Sequence, residues 1–110
     1  MTATPALSPW ELRRTTDVLR AVMAESGVDR GSLFSRRRTA RVAAARQLAM
    51  ALLRDATNMS LAEIGSIFGR GHDTAIHAIR AVKARRVTDL DLDRRYLFLL
   101  SRIRAATPQP

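Results

Sequence analysis

The stretch "SLAEIGSIFGRG", Ser60 to Gly71, constrains this chain more than any other. Ser60 followed three residues later by Glu63 is a capping box, in which side chain and backbone satisfy each other's N–H groups and start a helix. Leu61, Ile64 and Phe68 share one face of that helix with Ile67 nearby, and Gly69 ends it. Gly65 stands four residues before Gly69, where the lack of a side chain lets a second helix approach closely. That second helix starts near His72 or Asp73, with Ile76, Ile79 and Val82 inward and His77, Arg80 and Lys83 free to point elsewhere. A short helix, a glycine turn and a second helix with polar, basic outward positions make a helix-turn-helix pattern.

The rest of the chain also has the helical period, so the expected class is all-α, a compact helical bundle. "SPWE" offers Ser8 as N-cap, Pro9 at the first helical position and Glu11 as the reciprocal partner. The helix it opens runs from about Pro9 to Ser26 and stops at Gly27. Leu12, Leu19, Val22 and Met23 line one side, with Arg13, Arg14, Asp17 and Arg20 mostly elsewhere. "VDRGSLF" reads as a loop or single turn. An Ala-rich helix follows from about Thr39 to Ala56, with Val42, Leu48, Leu52 and Leu53 as its apolar contacts. "VTDLDLD" breaks the pattern before a last helix carrying Tyr96, Leu99, Leu100 and Ile103. The expected organisation is a flexible leader over 1–8, one domain over 9–105 and a flexible tail over 106–110, with Thr107 to Pro110 disordered. The ends "MTATPALSP" and "ATPQP" look like those of a complete short gene product, although an excised domain would look similar.

Charge narrows the function. Nineteen Lys plus Arg against ten Asp plus Glu give +9 over 110 residues, and Lys83 is the sole lysine. The guanidinium fork matches phosphate and base edges, so nucleic acid is the leading partner. The run "RRRTARVAAARQ" concentrates Arg36, Arg37, Arg38, Arg41 and Arg46, whose mutual repulsion calls for a polyanion or for a solvated segment that keeps them apart. With no cysteine the chain has no disulfide and no thiolate site. Apolar runs such as "YLFLL" are too short to span a bilayer, and the leader lacks the regions of a secretion signal. A cytoplasmic, nucleoid-associated location is expected.

Catalysis and metal binding find little support. His72 and His77, five residues apart, do not share a helical face, and no cysteine or carboxylate completes a zinc shell around them. Asp73 beside His72 lacks a nucleophile or oxyanion hole. None of the five glycines is followed by Lys, so the phosphate-binding G-x-x-x-x-G-K-[ST] loop is absent. No enzyme activity, metal or cofactor is expected.

The order of motifs in "SRRRTARVAAARQLAMALLRDATNMSLAEIGSIFGRGHDTAIHAI" resembles the C-terminal DNA-binding domain of the bacterial replication initiator DnaA. A basic run, Arg-Gln-x-Ala-Met, Thr-Asn-x-Ser-Leu-x-Glu-Ile-Gly, Phe-Gly and an Arg/His/Asp/Thr signature follow one another, and the likeness runs from about Leu12 to Ile103. The resemblance implies an all-helical fold like that of Trp repressor, with double-stranded DNA as ligand. It implies that Arg46 reaches into the minor groove from the basic loop, with Arg36, Arg37, Arg38 and Arg41 on phosphates beside it.

The recognition segment departs from the family. Where the usual form is Gly-Gly-Arg-Asp-His-Thr-Thr, this chain reads "GRGHDT", one residue shorter, with Gly71 in place of Asp and Asp73 in place of the first Thr. Arg70, His72, Thr74 and His77 still match. Asp73 either accepts from cytosine N4 or caps the helix that follows. Ser60, Arg80 and Lys83 complete the DNA-binding candidates. The expected function is sequence-specific binding at DnaA-box-like or derived sites, regulating replication initiation or transcription by occupancy, without ATPase activity. Other replication or regulatory proteins are further candidate partners. The alternatives are an adaptor using an apolar helix face, and a basic helix near Arg13, Arg14 and Arg20 lying on anionic lipid without crossing it.

Overall fold

The computed structural model describes residues 7–110, which form six helices: α1 (Pro9–Ser26), α2 (Arg30–Leu33), α3 (Ala40–Ala56), α4 (Leu61–Ile67), α5 (His72–Thr88) and α6 (Leu90–Ala106). Most of the expected leader lies outside the described residues. Its last two positions are not free: Leu7 packs against the core and Ser8 caps α1.

Local chemistry accounts for the helix ends. Both capping boxes form, Ser8 with Glu11 and Ser60 with Glu63. Thr39 caps α3 through its hydroxyl, and Gly27 closes α1 in the left-handed region at φ 69°. The single turn α2 is capped by the Asp29 carboxylate, whose hydrogen bonds with Ser32 hold it below the usual aspartate range. Asp89 terminates α5 and caps α6 at once, so the expected break over "VTDLDLD" shrinks to one residue.

The Ala-rich α3 is the central helix, packed by α1, α5, α6, α4 and α2. Its small side chains permit this, because Ala45, Ala49, Ala51 and Ala56 are buried together with Met50, Leu52 and Leu53. Facing it, α5 buries Ala75, Ala78 and Val82. Ile76 and Ile79, expected inward, are only half-buried, because close helix approach selects the alanines. Tyr96, Leu100 and Ile103 of α6 and Val18, Leu19 and Val22 of α1 complete the core.

Two residues of α1 reverse expectation. Leu12 is exposed, while Arg14 is buried and donates from Nη1 to Ala56 O at 2.6 Å and from Nε to Thr107 O at 2.8 Å. Arg14 thereby satisfies a carbonyl at the end of α3. Burial and the nearby Arg104 push its guanidinium below its ordinary pKa. The tail is correspondingly anchored at Thr107, which is buried and also donates its hydroxyl to Asp17 at 2.8 Å. Among the described residues no helix is long and apolar enough to cross a membrane, and no group of His, Cys, Asp or Glu is placed to hold a metal ion.

Candidate nucleic-acid interface

The helix-turn-helix is built on Gly65. A Cβ there would stand 2.5 Å from Gly71 O and 2.7 Å from Arg70 O, so any side chain would displace the backbone of the turn. Gly65 O in turn accepts from Phe68 N and Arg70 N, and Gly69 takes φ 67° to reverse the chain. The α4–α5 geometry depends on these glycines.

The outward side of α5 is polar and uncommitted. His72, Asp73, Thr74, His77, Arg80 and Lys83 are all exposed. Asp73, His77 and Arg80 follow one another at four- and three-residue steps, which places them on one face. Among the described residues, the one ion pair or side-chain hydrogen bond of these six is His72 Nε2 to Asp73 Oδ1 at 3.2 Å. Gly71, not Asp73, is the N-cap of α5, and no side chain caps that helix. The capping alternative for Asp73 is therefore excluded, and its exposed carboxylate, at the second helical position, meets only the His72 ring among the described residues.

Arg36, Arg37 and Arg38 lie exposed in the segment between α2 and α3, and none of their side chains hydrogen-bonds within the described residues. Arg41 is exposed but partly engaged, donating from Nε to Ser26 O at 3.0 Å across the end of α1. Ser60 accepts from Glu63 N in its capping box, which leaves its hydroxyl hydrogen free. Arg70 is half-buried and donates to Phe68 O at 2.7 Å.

Arg46 does not stand where the resemblance implies. It lies within α3, is 6% exposed, and folds back onto the α2 segment. Nε donates to Leu33 O at 3.0 Å, Nη1 to Arg37 O at 3.2 Å, and Nη2 to Ser35 O at 2.8 Å and Ser32 O at 3.3 Å. Four of its five N–H groups are engaged inside the protein. Burial, with the charge of Arg70 nearby, holds its pKa below the ordinary value. Arg46 is a strut that seats the basic segment on α3.

A second tie has no periodic signal in the sequence. Phe34 stacks on Phe68 with centroids 5.4 Å apart, fastening the end of α2 to the end of α4 and bringing the basic segment beside the helix-turn-helix. Arg30 adds an exposed guanidinium, 5.5 Å over the Phe34 ring. In "DRGSLFSRRR" the two residues stand only as a charge and an apolar side chain, with nothing to pair them.

Comparison with known proteins agrees with this architecture. The family model described as the bacterial DnaA protein helix-turn-helix matches residues 15–82. Chromosomal replication initiator protein DnaA of Sphingopyxis alaskensis is 47% identical over 78 residues, 70% of this chain and 17% of that protein. Its counterpart in Chromobacterium violaceum is 36% identical over 92 residues, 82% of this chain and 20% of that protein. The chain thus spans about a fifth or less of the length of these relatives. A match from α1 through the body of α5, over a turn that only glycine can make, places the chain in the bacterial DnaA helix-turn-helix family.

Proposed function

We propose that this protein binds double-stranded DNA with sequence specificity, inserting the outward side of α5 into the major groove while Arg36, Arg37 and Arg38 neutralise phosphates alongside. The observation that carries this is an exposed, uncommitted polar face on α5 beside three exposed arginines without internal partners. His72, Asp73, Thr74 and His77 read base edges near the start of α5, and Arg70, Arg80 and Lys83 reach phosphate or base edges around them. Arg41 and Arg30 add positive potential, and Ser60 donates its free hydroxyl to a phosphate. Arg46 acts indirectly, by holding the basic segment in register with α5.

The sites bound are DnaA boxes or sequences derived from them, since the relatives are chromosomal replication initiators. The protein acts at the nucleoid by occupying those sites, with no ATP turnover, and thereby regulates replication initiation or transcription. Selecting duplexes from a random pool with the purified protein tests the proposal. Enrichment of one DnaA-box-like motif, retained against competitor DNA, is expected. Retention of every duplex alike would reject sequence specificity.

A further inference from the structure

Four of the five exposed large apolar side chains among the described residues lie at the end of α5 or on α6: Val87 at 80% exposure, Leu90 at 61%, Leu97 at 49% and Phe98 at 60%. All lie beyond residue 82, where the match to the family model ends. On α6, Leu90, Arg94, Leu97 and Ser101 succeed one another at four- and three-residue steps, with Phe98 adjoining them, so the exposed residues form one stripe along the helix. Phe98 also borders a groove of about 440 Å³ between α1 and α6, floored by Ala21, Ala24, Leu99 and Ile103. Exposed apolar side chains gathered on one helix face in this way, with Arg94 and Ser101 among them, mark an interaction surface.

Charge along α6 indicates what covers it. The acidic residues Asp89, Asp91 and Asp93 occupy its start, and Arg94, Arg95, Arg102 and Arg104 its remainder. Asp89 is engaged as the cap and Asp93 pairs with Arg86 at 2.8 Å, whereas Asp91 is exposed with no side-chain partner among the described residues. Arg102 is exposed and lies 5.7 Å over the Phe98 ring. A wholly acidic partner would meet Asp91 unfavourably. A helix with the same polarity laid antiparallel would not.

We propose that α6 is the interface of a two-fold symmetric homodimer, in which two α6 helices cross antiparallel near Leu97. Asp91 lies six residues before Leu97, about 9 Å along the axis, and Arg102 five residues after it, about 7.5 Å. Antiparallel crossing at Leu97 therefore sets Asp91 of each copy beside Arg102 of the other, on both sides of the axis. Leu97 and Phe98 meet at the centre, as an isologous contact requires. The net charge of +9 on each copy opposes association over long range, but the Debye length of about 8 Å at physiological ionic strength screens that repulsion more than the contact pairs.

Sedimentation equilibrium of the full chain at physiological ionic strength, without DNA, from micromolar to millimolar concentration tests this. The mass is expected to rise from 12.2 kDa towards twice that value. Phe98→Ser weakens association by roughly tenfold or more, as removal of a central aromatic anchor does. Asp91→Arg and Arg102→Asp each weaken it, and the double variant recovers to within roughly threefold of the wild type, because the swapped charges meet again. Circular dichroism and melting temperature verify that each surface variant stays folded. A constant mass of 12.2 kDa, a dimer indifferent to Phe98→Ser, or a double variant as weak as its singles overturns the proposal. Since no DNA is present, such a failure leaves the proposed DNA binding untouched.

Discussion

Replacing Arg46 with Ala separates the role of strut from that of groove contact. The substitution removes donors from the carbonyls of Leu33, Ser32, Ser35 and Arg37. The bond to Leu33 is buried, so its acceptor is orphaned, while water reaches the other three, whose bonds are part-buried. An unsatisfied buried acceptor costs about 1–3 kcal/mol, and hydrogen bonds to a charged group contribute about 1.5–3 kcal/mol each before water replaces them. One orphan and partial weakening of the remainder give a destabilisation of about 3 kcal/mol. For a domain of this size that lowers the melting temperature by about 10–20 °C. Arg46→Lys, with a compact ammonium in place of the fork, serves fewer carbonyls and recovers about half. The assays are urea and thermal unfolding followed by circular dichroism, with DNA affinity measured over a salt series well below the melting point. If Arg46→Ala melts with the wild type but loses its preference for A·T-rich flanks, the guanidinium leaves its carbonyls to enter the minor groove, and the strut is refuted.

Other substitutions divide fold from recognition. Arg36, Arg37 and Arg38 changed together to Ala weaken binding to every duplex alike and flatten the log affinity against log salt plot by roughly 0.9 for each phosphate no longer neutralised; an unchanged slope removes the segment from the interface. Ile64→Ala, at a fully buried position, costs about 2–5 kcal/mol in urea unfolding, whereas His72→Ala leaves the melting temperature nearly unchanged and impairs specific binding. The opposite pattern would invert the assigned faces. Burial and the Asp55 carboxylate, 2.6 Å from its hydroxyl, push the Tyr96 phenol well above its usual 10.0. The stability Tyr96 contributes is thus whole below pH 10 and declines as pH rises further, where only the unfolded phenol ionises. Tyr96→Phe lacks that decline, and identical alkaline unfolding of the two proteins would contradict it. Asp73→Thr changes the preferred base at one position by about 1–3 kcal/mol and leaves the helix start intact, since Gly71 is the cap; identical selected motifs would end the base-reading role of Asp73.

Features encoded within about six residues are legible in the sequence, and features set by distant backbone are not. Both capping boxes, the Gly27 stop and the close approach at Gly65 depend on local stereochemistry, and each stands where the residues place it. Periodicity puts Arg14 outward and Leu12 inward because it ranks side chains by polarity. It carries no record that the carbonyls of Ala56 and Thr107, 42 and 93 residues away, need a donor. The same blindness assigns Ile76 to the core in place of Ala75, whose small size lets α5 pack on α3. For the candidate site, the outward residues of α5 are legible because exposure follows the helical period, whereas the Phe34–Phe68 stack joins two segments that share no period.

Arg46 belongs with the second group, and its case links local propensity to function. The resemblance assigns it to a loop, because that is where a groove-reaching arginine stands. In this chain the residues before it are Ala43, Ala44 and Ala45, the side chain with the highest helix propensity, and Thr39 provides a cap for the helix they favour. Helix α3 therefore begins at Ala40 and incorporates Arg46 as its seventh residue. A side chain at that depth cannot project from a loop end. It lies instead over the segment just before the helix, where it serves the carbonyls of Leu33, Ser35 and Arg37 and shares that of Ser32 with Ser35 N. On the proposed DNA-binding reading, the alanine run makes Arg46 a positioning residue and leaves the proposed phosphate contacts to Arg36, Arg37 and Arg38. Arg46 holds that segment through Arg37 O and Ser35 O, so loosening it is expected to lower affinity for all sequences before it alters discrimination among them.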